Sequence, residues 1–120
     1  MDHLQFLQSV ELMAGLDRDG ARRAAAATLL TLAERLGGPA AAELARSLPR
    51  ELREPLDGAP EAAEAFDAGE FVRRIAAREG SSPDQAGRDA RAVFATLKED
   101  VAAVDRLRDR LPPDYQDLFE

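Results

Sequence analysis

The chain has no cysteine, no tryptophan, one histidine and one tyrosine. Without cysteine there is no disulfide, no thiolate zinc site and no thiol nucleophile. His3 has no serine or cysteine partner fixed nearby, so it is a poor general base and reads as a residue of an exposed first turn. Being the sole histidine, it also leaves the chain without the Glu-x-x-His pairs that build di-metal carboxylate sites in helical bundles. β-branched residues are scarce and nowhere alternate with polar ones, so no stretch reads as a strand. No apolar run approaches the roughly 18–20 residues of a membrane span. The opening Met1-Asp2-His3-Leu4-Gln5-Phe6 lacks the basic start and apolar stretch of a secretory leader. The formal charge of −7 works against nucleic-acid and anionic-membrane binding. The expected setting is the cytoplasm, with no membrane partner.

What the chain does have is alanine and arginine. Hydrophobic residues make up 45% and charged residues 32% of its 120 positions, the balance of one globular domain over residues 1–120. Much of the apolar share is alanine, small and helix-favouring. Leucine, valine and five phenylalanines must supply the core. Lys98 is the only lysine, so nearly all positive charge is arginine.

The sequence also repeats itself. Displaced by 65 positions, residues 2–36 match residues 67–101 at 11 of 35 pairs, among them Asp2 with Asp67, Phe6 with Phe71, Gly15 with Gly80, Arg23 with Arg88, Thr31 with Thr96 and Glu34 with Glu99. With the displacement reduced to 63, Leu44, Leu48, Pro49 and Leu56 fall on Leu107, Leu111, Pro112 and Phe119. A repeat at this spacing predicts a duplicated, all-α fold of two units of three to four helices sharing one core. The first unit covers about 2–56, a hinge about 57–60, and the second unit about 61–119. A unit of about 55 residues buries too little surface to be comfortably stable alone.

Helix boundaries follow from caps and breakers. Asp2 with Gln5 is a capping pair for a helix from about Leu4 to Ala14, with Phe6, Leu7, Val10 and Met13 inward and Gly15 ending it. A second helix runs from about Asp17 to Leu36, with Ala25, Leu29, Leu32 and Leu36 inward. Gly37-Gly38 breaks it. Pro39 opens a third helix carrying Leu44 and Leu48, and Pro49 opens a last turn with Leu52 and Leu56. Pro60 starts a short helix ending near Phe66. In the second unit, Asp67 with Glu70 and Ser82-Pro83 with Gln85 are capping pairs, and Gly80 is the break. Phe71, Val72 and Ile75, then Ala90, Phe94, Leu97 and Val101, then Val104, Leu107 and Leu111, point inward. Pro112-Pro113 opens a final turn ending in Tyr115, Leu118 and Phe119.

These paired patterns resemble the bacterial family called domain of unknown function 2267. The pieces that carry the resemblance are Phe6 to Gly15, Ala21 to Leu36 and Ala41 to Leu56 for the first half. For the second they are Phe66 to Gly80, Ala90-Arg91-Ala92-Val93-Phe94-x-x-Leu97 and the closing Leu111-Pro112-x-x-Tyr115-x-x-Leu118-Phe119. The first half departs at its own closing piece, Leu48-Pro49-x-x-Leu52, which has no tyrosine. The resemblance implies an all-helical two-repeat fold over the whole chain and nothing catalytic.

The remaining polar motifs read as scaffold. Asp17-x-Asp19-Gly20 opens like a calcium loop, but Arg22 and Thr28 stand where that loop needs glycine and glutamate. Gly37-Gly38-Pro39 lacks the lysine and the serine or threonine of a phosphate loop. Tyr115 is expected at the core edge with its hydroxyl reaching water. Arg23 and Glu34 lie opposite the apolar stripe of the second helix and are expected to face solvent, with Asp19–Arg23 and Asp84–Arg88 as i,i+4 pairs. The candidate partner surface is Arg23, Arg88, Leu30, Arg74, Arg78 and Arg91. Arg73, Arg74 and Arg78 with Arg88 and Arg91 form a basic patch in the second unit if the two helix starts adjoin. With no nucleophile–base pair and no cofactor or metal motif, the expected function is a non-catalytic helical interaction or regulatory module. Its partner is a protein, and the chain itself is a monomer or small homo-oligomer. The alternative is a nucleic-acid-associated protein using the arginine patch. Ser82 generates a direct test: Ser82→Ala should lose about 0.5–2 kcal/mol in urea unfolding if its hydroxyl caps the helix, and no loss moves the helix start elsewhere.

Overall fold

In the computed structural model, which describes residues 1–120, the longer helices, α3 apart, start where a side chain satisfies free helix amides. The helices are α1 (His3–Ala14), α2 (Arg18–Leu36), α3 (Gly38–Arg46), α4 (Glu54–Asp57), α5 (Ala68–Glu79), α6 (Pro83–Leu97) and α7 (Val101–Arg110). Short 3-10 turns cover Arg50–Leu52 and Pro113–Phe119. There is no strand. Asp2, Asp17, Asp67, Ser82 and Asp100 each accept an amide of the first turn that follows. At Asp2 the capping box is reciprocal, since Asp2 N–H donates to Gln5 Oε1 at 3.0 Å. Glu70 and Gln85 do not reciprocate: Glu70 takes Arg73 and Arg74, and Gln85 takes Asp89 and Arg88. Gly15 and Gly80, at φ 68° and 74°, close α1 and α5 in the left-handed conformation.

Four helices make the body. α1 packs on α2 and α6, α5 packs on α6 and α2, and α2 crosses α6 between them. α3, α4 and α7 cover one end, and the extents are 34 × 28 × 25 Å. The two sides of the core differ in material. Around α1 and α2 it is alanine and leucine. Around α5 and α6 it is aromatic, with Phe71 touching Phe66, Phe94 and Tyr115 at centroid distances of 6.5, 5.9 and 5.4 Å. Alanines at 21, 24, 25, 86 and 90 are fully buried and let the helix backbones approach.

Several expectations are corrected. Met13 is exposed because it lies beyond the α1–α2 contact, and Leu36 is only half-buried. Val101 is 67% exposed: Asp100 caps a new helix there, so Val101 starts α7 instead of ending α6. Pro60 starts no helix. Residues 58–67 run as an irregular strap across the end of α2, where Glu64 N–H donates to the Glu34 carbonyl at 2.9 Å and Gly38 N–H to the Glu61 carbonyl at 3.3 Å. The strap passes so close that a Cβ on Gly37 (φ 80°) would sit 2.8 Å from Ala63 N, which leaves no room for any other residue. Tyr115 does not reach water; it is completely buried, and its hydroxyl donates to the Phe66 carbonyl at 2.8 Å.

Phe6 and Phe71 are both core residues, at 2% and 0% exposure. Phe6→Ala and Phe71→Ala should each cost about 3–5 kcal/mol in chemical unfolding. A variant as stable as wild type would remove that residue from the core.

Candidate functional site

Two of the predicted arginines, Arg74 and Arg78 on α5, reach across to α2 and close a clasp on it. Arg78 Nη2 donates to Glu34 Oε2 at 2.7 Å, and Arg78 Nη1 donates to Glu34 Oε1 and to Thr31 Oγ1, both at 2.8 Å. Arg74 donates to Glu70, Glu34 and Glu64, and its guanidinium lies 4.0 Å above the Phe66 ring. Hydrogen bonds from Arg78, then its charge and the bonds from Arg74, hold the Glu34 carboxyl below the ordinary range against the opposing effect of burial. Glu34 therefore bridges α2, α5 and the strap instead of facing solvent. Helical periodicity placed it outward because the wheel of α2 cannot show that α5 and residues 58–67 pass over that side.

The remaining arginines of the second half gather at the start of α5 and α6. Arg73, Arg88 and Arg91 surround a shallow depression with Gly69 and Gly87 on its floor and Asp84, Asp114 and Asp117 on its rim. The predicted adjoining of the two helix starts is present, but the basic patch is split: three arginines stay at the depression and two are in the clasp. Arg88 donates to Gln85 Oε1 at 2.8 Å and has no carboxylate partner, and Arg91 has none either. The expected Asp19–Arg23 and Asp84–Arg88 pairs do not form; Asp19 takes Arg22 at 3.4 Å. Arg23 lies apart on α2, where its charge acts on Glu79. Leu30 is 39% exposed and lines a separate hollow with Ala26, Glu51, Glu54, Pro55 and Gly58. The six candidate residues thus occupy four places: the clasp, the depression, Arg23 alone, and the Leu30 hollow.

The reading of the residues missed a pair of carboxyls and a pair of threonines. Glu79, at the end of α5, and Asp89, buried on α6, face each other. Ser81 Oγ donates to Glu79 Oε2 and Gln85 Nε2 donates to Asp89 Oδ1, each at 2.6 Å. Glu79 Oε1 is enclosed with no donor in reach, so a proton on Glu79 is what lets it hydrogen-bond Asp89. Burial first, and then that bond, push Glu79 up to about 7, against Ser81 and the charge of Arg23. Paired carboxyls are the material of acid–base chemistry. Neither residue lines any of the five main surface depressions. No group of three or more acidic or histidine side chains is placed to share a metal ion.

Thr31 and Thr96, identical in the 65-residue alignment, both donate to the carbonyl four residues earlier, at 2.7 and 2.9 Å. Each also meets the facing helix, Thr31 through Arg78 and Thr96 through Ser9 Oγ at 2.7 Å. Their identity at positions 65 apart is the sequence signal of this paired role.

Glu79 makes stability depend on pH. In an unfolded chain it ionises near 4.5, in the folded protein near 7. Its contribution is therefore fully present below pH 4.5, declines as pH rises, and reaches its minimum above 7. Glu79→Gln, which mimics the protonated side chain, should be more stable than wild type by about 1–2 kcal/mol at pH 8 after allowance for solvent screening. The gain should vanish below pH 4.5, as read by urea unfolding at the two pH values. An equal difference at both removes the linkage.

Residues 3–118 match the family model described as Uncharacterized conserved protein (DUF2267), and the chain belongs to that family. No curated protein matches it. No helix is long and apolar enough to cross a membrane.

Proposed function

We propose that this member of the family is a non-catalytic interaction module of the cytoplasm, built from a duplicated helical unit, and that it binds an acidic segment of a partner protein at the depression between α5 and α6. The observation that carries the reading is the contrast between two sets of arginines on neighbouring helices. Arg74 and Arg78 are saturated by Glu34, Glu64 and Glu70, whereas Arg88 and Arg91 hold their guanidinium groups over open surface with no carboxylate partner. Arginine is suited to this role because its planar fork takes a carboxylate bidentately. The floor supports the reading as well. Gly87 lies inside α6, where glycine costs about 1 kcal/mol relative to alanine. A Cβ there would meet nothing closer than Arg91 Nη1 at 3.9 Å, so packing alone does not demand glycine.

Support for the duplication comes from matched details. Asp2 and Asp67 cap, Gly15 and Gly80 close, and Thr31 and Thr96 back-bond at positions 65 apart. α1 lies on the second unit's α6 just as α5 lies on the first unit's α2.

Nucleic acid is the competing ligand for three arginines. The acidic rim of Asp84, Asp114 and Asp117 and the net charge of −7 favour a protein with a short acidic segment over a polyanion. The test is affinity capture from lysate of the native host, with and without nuclease, comparing wild type with Arg88→Glu/Arg91→Glu. Nuclease-resistant proteins retained by wild type, released by salt and lost by the variant are expected. Identical captures would sink the proposal, and retention abolished by nuclease would transfer the depression to nucleic acid.

A further inference from the structure

Glu34 has a counterpart whose clasp is missing. In the 65-residue alignment Thr31, Glu34, Arg74 and Arg78 correspond to Thr96, Glu99, Ser9 and Met13. The helices that carry them pack in the same way, α5 on α2 and α1 on α6. The threonine contact is kept, since Thr96 meets Ser9 Oγ at 2.7 Å. The ion pairs are not. Arg74 and Arg78 hold the Glu34 carboxylate, whereas Ser9 and Met13 have no charge to offer Glu99. Glu99 is exposed and makes no ion pair. Lys98 beside it donates to the Phe119 carbonyl instead. The backbone differs as well. Glu64 N–H of the strap donates to the Glu34 carbonyl, and no backbone N–H reaches the carbonyl of Glu99.

The open seam between α1 and α6 is apolar, and its charge has one sign. Met1, Gln5, Gln8, Leu12 and Met13 line a hollow beside Glu99. A second hollow continues past Met1 and Glu99, over Phe6, Leu48 and Leu97, to Asp100. No arginine or lysine lines either one. Leu12 and Met13 are 86% and 58% exposed. On the closed seam the matched residues are Ala77 and Arg78, and the strap sets Phe66 under Arg74.

We infer that the open seam is a docking groove for an extended, basic segment of a partner protein. One arginine of that segment pairs with Glu99, and an apolar neighbour lies on Leu12 and Met13. The closed seam shows what such a glutamate takes when it is satisfied: guanidinium groups on the carboxylate, a crossing backbone N–H on the carbonyl, and an apolar ring alongside. The open seam lacks all three, and one basic, extended segment supplies them together. Arginine fits better than lysine, because its planar fork takes a carboxylate bidentately. About six extended residues span the about 18 Å of α1. Charge selects the partner. Glu99 and Asp100 repel nucleic acid and acidic peptides. The strap of a second copy is no substitute, since residues 58–67 carry Glu61, Glu64 and Asp67 and no basic residue. The groove is also separate from the arginine-lined depression between α5 and α6 and opposite to it in charge, so it stands independently of that site.

The probe is a pooled library of short linear peptides with one fixed arginine, no acidic residue and varied neighbours, captured on the immobilised full chain. Wild type should enrich peptides with an apolar residue close to the arginine. Measured singly by fluorescence polarisation, these peptides should bind Glu99→Gln about tenfold more weakly. Added salt should weaken their binding to wild type. A second readout needs no peptide. Met13→Arg places a cation where Arg78 stands on the matched helix. It should raise the melting temperature, the gain should disappear when Glu99→Gln is added, and the same peptides should be excluded. No enrichment over a Glu99→Gln column, or equal affinity for wild type and Glu99→Gln, would overturn the inference. So would a Met13→Arg effect on melting that is the same with and without the Glu99 carboxylate.

Discussion

The molecule depends on Glu34. Its backbone carbonyl is one of the last of α2, a group with no acceptor role inside the helix, and it is satisfied by Glu64 N–H of the strap. Its carboxylate takes two arginines of α5. One residue thus joins the end of the first half, the connection between halves, and the first helix of the second half. Phe66 is the reciprocal point: its carbonyl accepts from Arg35 Nε at 3.0 Å and from the Tyr115 hydroxyl, and its ring lies beneath Arg74. Most of the polar groups that join the two halves are grouped at this seam, with Ser9–Thr96 and Arg110–Glu43 lying elsewhere.

This seam explains why Tyr115 is buried to the hydroxyl. Burial pushes its ionisation up to about 12, against the nearby charge of Arg35, so it remains a neutral donor to the Phe66 carbonyl. The first half ends in Leu52 and Leu56 without such a tyrosine. There is no second strap for it to hold.

Much of this was legible in the residues. Capping aspartates, closing glycines and the 65-residue identity located α1, α2, α5 and the start of α6 to within a residue or two, because these signals are local and each has one cheap conformation. Two kinds of error share a cause. The helix wheel put Glu34 outward and the usual behaviour of tyrosine put Tyr115 at a wet edge, because neither sees the strap crossing above. Capping rules promised reciprocal boxes at Glu70 and Gln85, yet both side chains found better partners in arginine and aspartate one turn along the same helix. At the surface, the arginines could be named from the sequence, but which were consumed by the clasp depended on Glu64 and Glu34 arriving together, and that requires the tertiary path of residues 58–67.

That path has a consequence for cooperativity. A segment rich in alanine, glutamate and proline, with no helix of its own, would ordinarily open and close independently of the body it connects. Here it cannot lift without stripping the carbonyl cap from α2, unstacking Arg74 from Phe66 and orphaning the buried Tyr115 hydroxyl. The amide of Glu64, bound to the Glu34 carbonyl, is thereby expected to exchange its hydrogen with the slow, global opening and not with the fast fluctuation of a linker.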